Sequence, residues 1–199
     1  MTTIVYLHGF RSSPASEKAQ AMRAAVDAMP LAQRPLLAIP DIELAPRAAI
    51  DRVLAWVERN ARGTLTLVGS SLGGYYASHL AERLHVRAVL INPAVRAFDD
   101  LAAYVGPQTN PYTGKVFDVL PAYFDELRAL DVPRISDPAR YLLYVQAADE
   151  LLDWRIAVER YAGAWQCVEG GGDHGYQGFE RHVPTIVRFA HDGFARHPG

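Results

Sequence analysis

The chain has 199 residues, 50% of them hydrophobic and 21% charged, a profile that fits one unit with a well-buried core. A net charge of -2 gives no electrostatic pull toward nucleic acid or an anionic membrane, and the single cysteine, Cys167, excludes an internal disulfide and a cysteine-based zinc site. The start Met1-Thr2-Thr3-Ile4-Val5-Tyr6-Leu7 has no basic leader pattern and no apolar run reaches spanning length, so the expectation is a cytoplasmic protein without a membrane span.

Taken in chain order, short apolar runs alternate with segments of helical period. Residues 3–7 read as a strand, and residues 16–29 as a helix with apolar positions at Ala19, Met22, Ala25, Val26 and Met29. A strand at 36–39 precedes a second helix marked by Ile50, Val53, Leu54 and Val57, with Pro46 near its start and Gly63 beyond its end. Strand 65–68, helix 72–84 and strand 88–91 follow. The rhythm then breaks over 93–138, where two short helices (99–105 and 120–130) and the run Asn110-Pro111-Tyr112-Thr113-Gly114 are expected, with no strand. A connection of that length reads as a lid-like insertion over a binding site. Strand 141–146, helix 154–162, strand 165–168 and helix 178–192 complete the chain. Cys167 lies in the last apolar run and is expected to be a buried, inert thiol. The six strand runs are apolar throughout rather than alternating, which predicts a mostly parallel six-stranded α/β sheet with helices on both faces, in one domain over 1–199.

The run Gly69-Ser70-Ser71-Leu72-Gly73-Gly74 has the pattern G-x-S-x-G between a strand and a helix, the context of a nucleophile elbow. A phosphate loop would need G-K-[ST], and a dinucleotide turn would need G-x-G-x-x-G after the first strand. Only Ser71 has glycine two residues away on both sides, so Ser71 is the expected nucleophile and Ser70 its neighbour.

A serine hydroxyl needs a base, and the base needs an orienting acid, in the chain order Ser, Asp or Glu, His for this architecture. His79 and His85 belong to the helix after the elbow, and His182, His191 and His197 fall in or beyond the last helix and read as surface residues. His174 lies in the glycine-rich loop after the last strand, at the sheet end where ligands bind, and is the expected base. Asp149 is the first carboxylate after the preceding strand and the preferred acid; Glu150 and Asp153 are rivals, either of which could cap the next helix. Asp173 is expected to make local turn contacts. The amides of Phe10 and Leu72 are the candidate oxyanion donors, with Gly9 permitting close backbone approach. His8 is expected to hold its loop by a hydrogen bond.

The motifs His8-Gly9-Phe10, Gly69 to Tyr76, Asn92-Pro93-Ala94-Val95-Arg96, Asn110 to Gly114 and Gly171-Gly172-Asp173-His174 together resemble the YqiA/YcfP-type small esterases of the α/β-hydrolase superfamily, over nearly the whole chain. The resemblance implies a compact α/β-hydrolase fold, activity on acyl esters or thioesters, and Ser71, His174 and Asp149 as nucleophile, base and acid. The chain has Ala148 before Asp149, where that family reads glycine.

The expected activity is therefore that of a serine esterase or thioesterase acting through an acyl-enzyme on a small-molecule substrate, needing neither metal nor organic cofactor. An acyltransferase with the same triad and a non-catalytic ligand-binding module are the alternatives. Arg11, Tyr75, Tyr112 and Trp154 are the candidate substrate-binding residues; Tyr76, Phe117 and Arg96 are further candidates near the elbow.

Overall fold

The computed structural model describes residues 1–42 and 45–194; His197 lies outside the described residues. In chain order the strands are β1 (Thr2–Leu7), β2 (Leu36–Ala38), β3 (Thr64–Ser70), β4 (Arg87–Ile91), β5 (Gly106–Thr109), β6 (Val116–Val119), β7 (Tyr141–Gln146) and β8 (Trp165–Glu169). The helices are α1 (Glu17–Asp27), α2 (Pro46–Asn60), α3 (Leu72–Leu84), α4 (Ala97–Asp100), α5 (Ala122–Ala129), α6 (Trp154–Arg160) and α7 (Val183–Asp192), with short 3-10 turns at Ala102–Tyr104, Pro138–Arg140 and Phe179–His182.

Six strands form one sheet in the order β2-β1-β3-β4-β7-β8, every neighbouring pair parallel. Such strands need apolar side chains on both faces, and β1 and β7 are buried along their full length. Val5, Leu7 and Leu67 pack on one face against Ile50 and Val53 of α2, Leu80 of α3 and Ala157 of α6. Ile4, Tyr6 and Val68 pack on the other against Met22 and Val26 of α1 and Ile186 and Phe189 of α7. The chain runs outward from β1 to β2, then returns to β3 on the other side of β1, so the loops after β1 and β3 leave the sheet side by side. That reversal is where a parallel sheet opens a crevice at its carboxyl end.

The connection between β4 and β7 differs from the expectation. Two short helices are present, as α4 and α5, but the segment also contains an antiparallel hairpin, β5 with β6, around the Asn110-to-Gly114 turn. Its strands are short and mostly exposed, and one begins Gly-Pro, so no buried apolar run betrays them. Cys167 is half-buried rather than buried, and desolvation pushes its thiol pKa up. No helix among the described residues is long and apolar enough to cross a membrane.

Candidate active site

β3 ends at Ser70 and α3 begins at Leu72, which leaves Ser71 alone at the turn with φ 55° and ψ -123°. A non-glycine residue there is strained and persists only where its surroundings over-determine it. Ser71 donates its amide to the Ile91 carbonyl (3.1 Å), and its own carbonyl accepts from the amides of Gly74 (2.9 Å) and Ala94 (3.1 Å). The glycines follow from the same crowding. A Cβ at Gly69 would collide with the Gly73 carbonyl, one at Gly73 with the carbonyls of Leu7 and His8, and one at Gly9 would lie 3.0 Å from the Ser71 Cβ.

His174 Nε2 lies 3.0 Å from Ser71 Oγ, and its Nδ1 lies 2.9 and 3.0 Å from the two Asp149 carboxylate oxygens. With Asp149 ionised, the proton sits on Nδ1 and Nε2 is left to accept from the serine hydroxyl. The Asp149 side chain is only 2% exposed, and its Oδ1 also accepts from the amides of Leu151 and Leu152, both at 2.9 Å. Those bonds fix the carboxylate's position and stabilise its charge. The rivals do other work. Glu150 accepts the backbone amide of His174 at 2.9 Å, and Asp153 caps α6 through the Arg155 amide at 3.0 Å. Ala148 is not among the residues with positive φ, so alanine there carries no backbone strain.

Three side chains that the sequence reading left without a role hold the histidine loop. Asn92, buried at the end of β4, donates Nδ2 to the carbonyls of Asp173 (2.9 Å) and His174 (3.2 Å) and accepts the Gln146 amide on Oδ1 (2.9 Å). Gln146, the last residue of β7, accepts the amides of Asp173 (3.2 Å) and Gln177 (2.8 Å) on Oε1 and donates Nε2 to the Gln177 carbonyl (2.9 Å). Lys18 of α1 donates to the Gly175 carbonyl at 2.6 Å. The available signal was a polar amide closing an otherwise apolar strand, where burial demands partners. Asp173 makes the expected local contact, accepting from Gln177 Nε2 at 2.9 Å. His182 departs from expectation: its Nε2 lies 3.0 Å from Glu169 and its side chain is largely buried.

The amides of Phe10 and Leu72 donate to no protein acceptor among the described residues, and Leu72 opens α3, where the helix dipole favours negative charge. His8 holds the β1 loop as expected: Nε2 accepts the Ile42 amide (3.2 Å) and Nδ1 donates to the Gly9 carbonyl (3.1 Å). Burial pushes its pKa down, keeping the ring neutral for that pair of bonds.

A cavity of about 340 Å³ opens beside Ser71 and His174, lined by Phe10 and Arg11 together with Leu72, Leu101, Tyr104 and Leu152. Asp100 lies at its wall, and desolvation, with Asp99 beside it, pushes that carboxyl up to about 6. Tyr112 lines an adjoining recess that also reaches Ser71. Two of the candidate substrate residues lie elsewhere. Tyr75 is buried under α5, its hydroxyl donating to the Leu127 carbonyl at 2.7 Å, and Trp154 packs against the core cluster beneath α6. Both aromatics follow apolar periodicity into the core, which a linear sequence does not separate from a pocket wall. Tyr76 is also buried, Phe117 meets Phe10 edge-on at 6.0 Å, and Arg96 is exposed in a separate cleft with Arg134.

The model of UPF0227, described as an uncharacterised protein family, matches residues 3–191. Among solved structures, alpha/beta hydrolase domain-containing protein 10 from mouse is similar at 19% identity and a TM-score of 0.72, covering 94% of this chain and 88% of that one. Est1E from Butyrivibrio proteoclasticus, solved with ferulic acid bound, is 13% identical with a TM-score of 0.71, covering 97% and 89%. The esterase domain of a Rhodothermus marinus protein is 17% identical with a TM-score of 0.65, covering 95% and 86%. At these identities the likeness shows the fold, which is that of the α/β hydrolases.

Proposed function

We propose that this chain, which belongs to the UPF0227 (YqiA/YcfP) family, is a serine esterase or thioesterase that works through an acyl-enzyme. The observation that carries the reading is the line of contacts from Ser71 Oγ through His174 to the buried Asp149 carboxylate, at 3.0 and 2.9 Å. His174 Nε2 removes the hydroxyl proton as Ser71 Oγ attacks the acyl carbon, and Asp149 stabilises the imidazolium that forms. The amides of Phe10 and Leu72 receive the negative charge on the carbonyl oxygen. His174 returns the proton to the leaving alcohol or thiol as its bond to the acyl carbon breaks. Water then gives a proton to His174 as its oxygen adds to the acyl carbon, and His174 returns that proton to Ser71 Oγ as the ester bond breaks, releasing the carboxylic acid and regenerating the serine.

The 93–138 segment walls the cavity in this scheme, with Leu101 and Tyr104 over the acyl chain. Ser71→Ala should lower turnover of a p-nitrophenyl ester by several orders of magnitude while the far-UV spectrum and melting temperature stay close to wild type. Retained hydrolysis by that variant in pure protein would overturn the assignment. Loss of fluorophosphonate labelling in Ser71→Ala and His174→Ala reports the nucleophile independently of substrate choice.

A further inference from the structure

Resting on the esterase reading, we infer that the substrate joins an apolar acyl chain to an uncharged, hydroxylated alcohol, and that Tyr112 and Lys18 read the alcohol. Ser71 and His174 lie where two recesses meet. The larger, about 340 Å³, is walled mostly by apolar side chains, Leu72, Ala97, Leu101, Pro111 and Leu152, with Asp100 at one side. The smaller, about 190 Å³, presents the side chains of Ser12, Glu17, Lys18 and Tyr112. Phe10 and Arg11 border both.

The Asn110-to-Gly114 turn builds this division. Asn110 Nδ2 donates to the Ser12 carbonyl (2.8 Å) and Arg11 Nε to the Thr109 carbonyl (3.1 Å), so the hairpin is tied to the loop after β1. Asn110 Oδ1 accepts the amides of Tyr112 (2.9 Å) and Thr113 (3.2 Å), which closes the turn locally. The result places two consecutive residues in different recesses, Pro111 in the apolar one and Tyr112 in the polar one.

An ester carries two arms from the reacting carbon, and the leaving oxygen must meet His174 Nε2. The polar recess continues past His174 to Gly175, whose carbonyl holds Lys18, so the alcohol arm lies there and the acyl arm lies in the apolar recess. Lys18 donates to the Gly175 carbonyl and Arg11 Nε to the Thr109 carbonyl, and the Glu17 carboxylate lines the same recess as an acceptor. The lining thus sets acceptors (the Glu17 carboxylate and the hydroxyls of Ser12 and Tyr112) beside its donors, a mixture that matches hydroxyl groups, which donate and accept, better than a phosphate or carboxylate, which only accepts.

The test compares octanoyl esters of 1-butanol, glycerol and glycerol phosphate on the purified protein, beside p-nitrophenyl octanoate. The glyceryl ester should exceed the butyl and phosphate-bearing esters in kcat/KM by about tenfold, the worth of one or two neutral hydrogen bonds made in the transition state. Tyr112→Phe, which removes one exposed hydroxyl, and Lys18→Met should each lower that ratio several-fold. A flat or inverted glyceryl-to-butyl ratio overturns the inference, as does a ratio unmoved by Tyr112→Phe and Lys18→Met, or a preference for the phosphate-bearing ester. If p-nitrophenyl octanoate is cleaved while selectivity is flat, only this inference fails. If none of the four esters is cleaved, the esterase reading itself is overturned.

Discussion

Replacing Asn92 by Ala tests whether the histidine loop is positioned from the end of β4. The substitution removes two donations, to the carbonyls of Asp173 and His174, and strips the buried Gln146 amide of its acceptor. Two lost hydrogen bonds at about 1 kcal/mol each and one unsatisfied buried amide at about 1–3 kcal/mol sum to about 3–5 kcal/mol. Asn92 also holds φ 38°, which asparagine tolerates better than alanine, so strain adds in the same direction. At about 2–4 °C per kcal/mol for a chain of this size, the melting temperature should fall by at least about 6 °C. The catalytic effect is separable from stability. His174 must keep Nε2 within hydrogen-bond reach of Ser71, and a displacement of about 1 Å costs about a hundredfold in kcat, with KM little changed. Asn92→Asp keeps the acceptor for Gln146 but turns a carboxylate oxygen toward two carbonyls, and should lose kcat at least as heavily. Urea unfolding and steady-state kinetics on the same preparations read both effects. An Asn92→Ala protein within about 0.5 kcal/mol of wild type, or one with unchanged kcat, would refute the clamp.

Gly73→Ala should abolish soluble folded protein or destabilise it by more than about 4 kcal/mol, since its Cβ meets the fixed carbonyls of Leu7 and His8; a normal denaturation midpoint would contradict this. Asp149→Asn should lower kcat by about 10⁴-fold because the imidazole loses its oriented tautomer, whereas Glu150→Gln, which keeps an oxygen for the His174 amide, should cost less than about tenfold. Asp100→Asn should stabilise the protein in a pH-dependent way. The folded carboxyl titrates at about 6 against an ordinary value of 3.8, so ionisation opposes folding increasingly as pH rises between those values. The melting-temperature gain of Asp100→Asn should be absent below about pH 4 and constant above about pH 7, and a gain independent of pH would be evidence against it.

Much of the fold is legible because strands buried on both faces must be apolar. All six central strands lie within two residues of their expected positions, and β7 coincides with residues 141–146. The hairpin at β5 and β6 escaped because each strand is only four residues long and alternates half-buried with exposed positions, leaving Val119 as its one buried residue, so no apolar run marks it. Tyr75 and Trp154 show the converse limit, since an aromatic at the start of a helix packs in or against the core as readily as it lines a cleft. Position after the strand favoured Asp149 without excluding Glu150, because adjacent carboxylates point in different directions once β7 ends. The structure brings Asp149 to the imidazole and Glu150 to the backbone of the same histidine.

By itself, the sequence determined the elbow at Ser71, the mostly parallel character of the sheet and the loop that carries His174, because steric crowding, two-faced burial and chain order are local or one-dimensional constraints. Tertiary structure decided which carboxylate meets the imidazole, that Asn92 and Gln146 hold its loop, and that Pro111 and Tyr112 border different recesses. The hydrogen bonds among them join residues 25 to 82 positions apart, and only the packed sheet brings them within range.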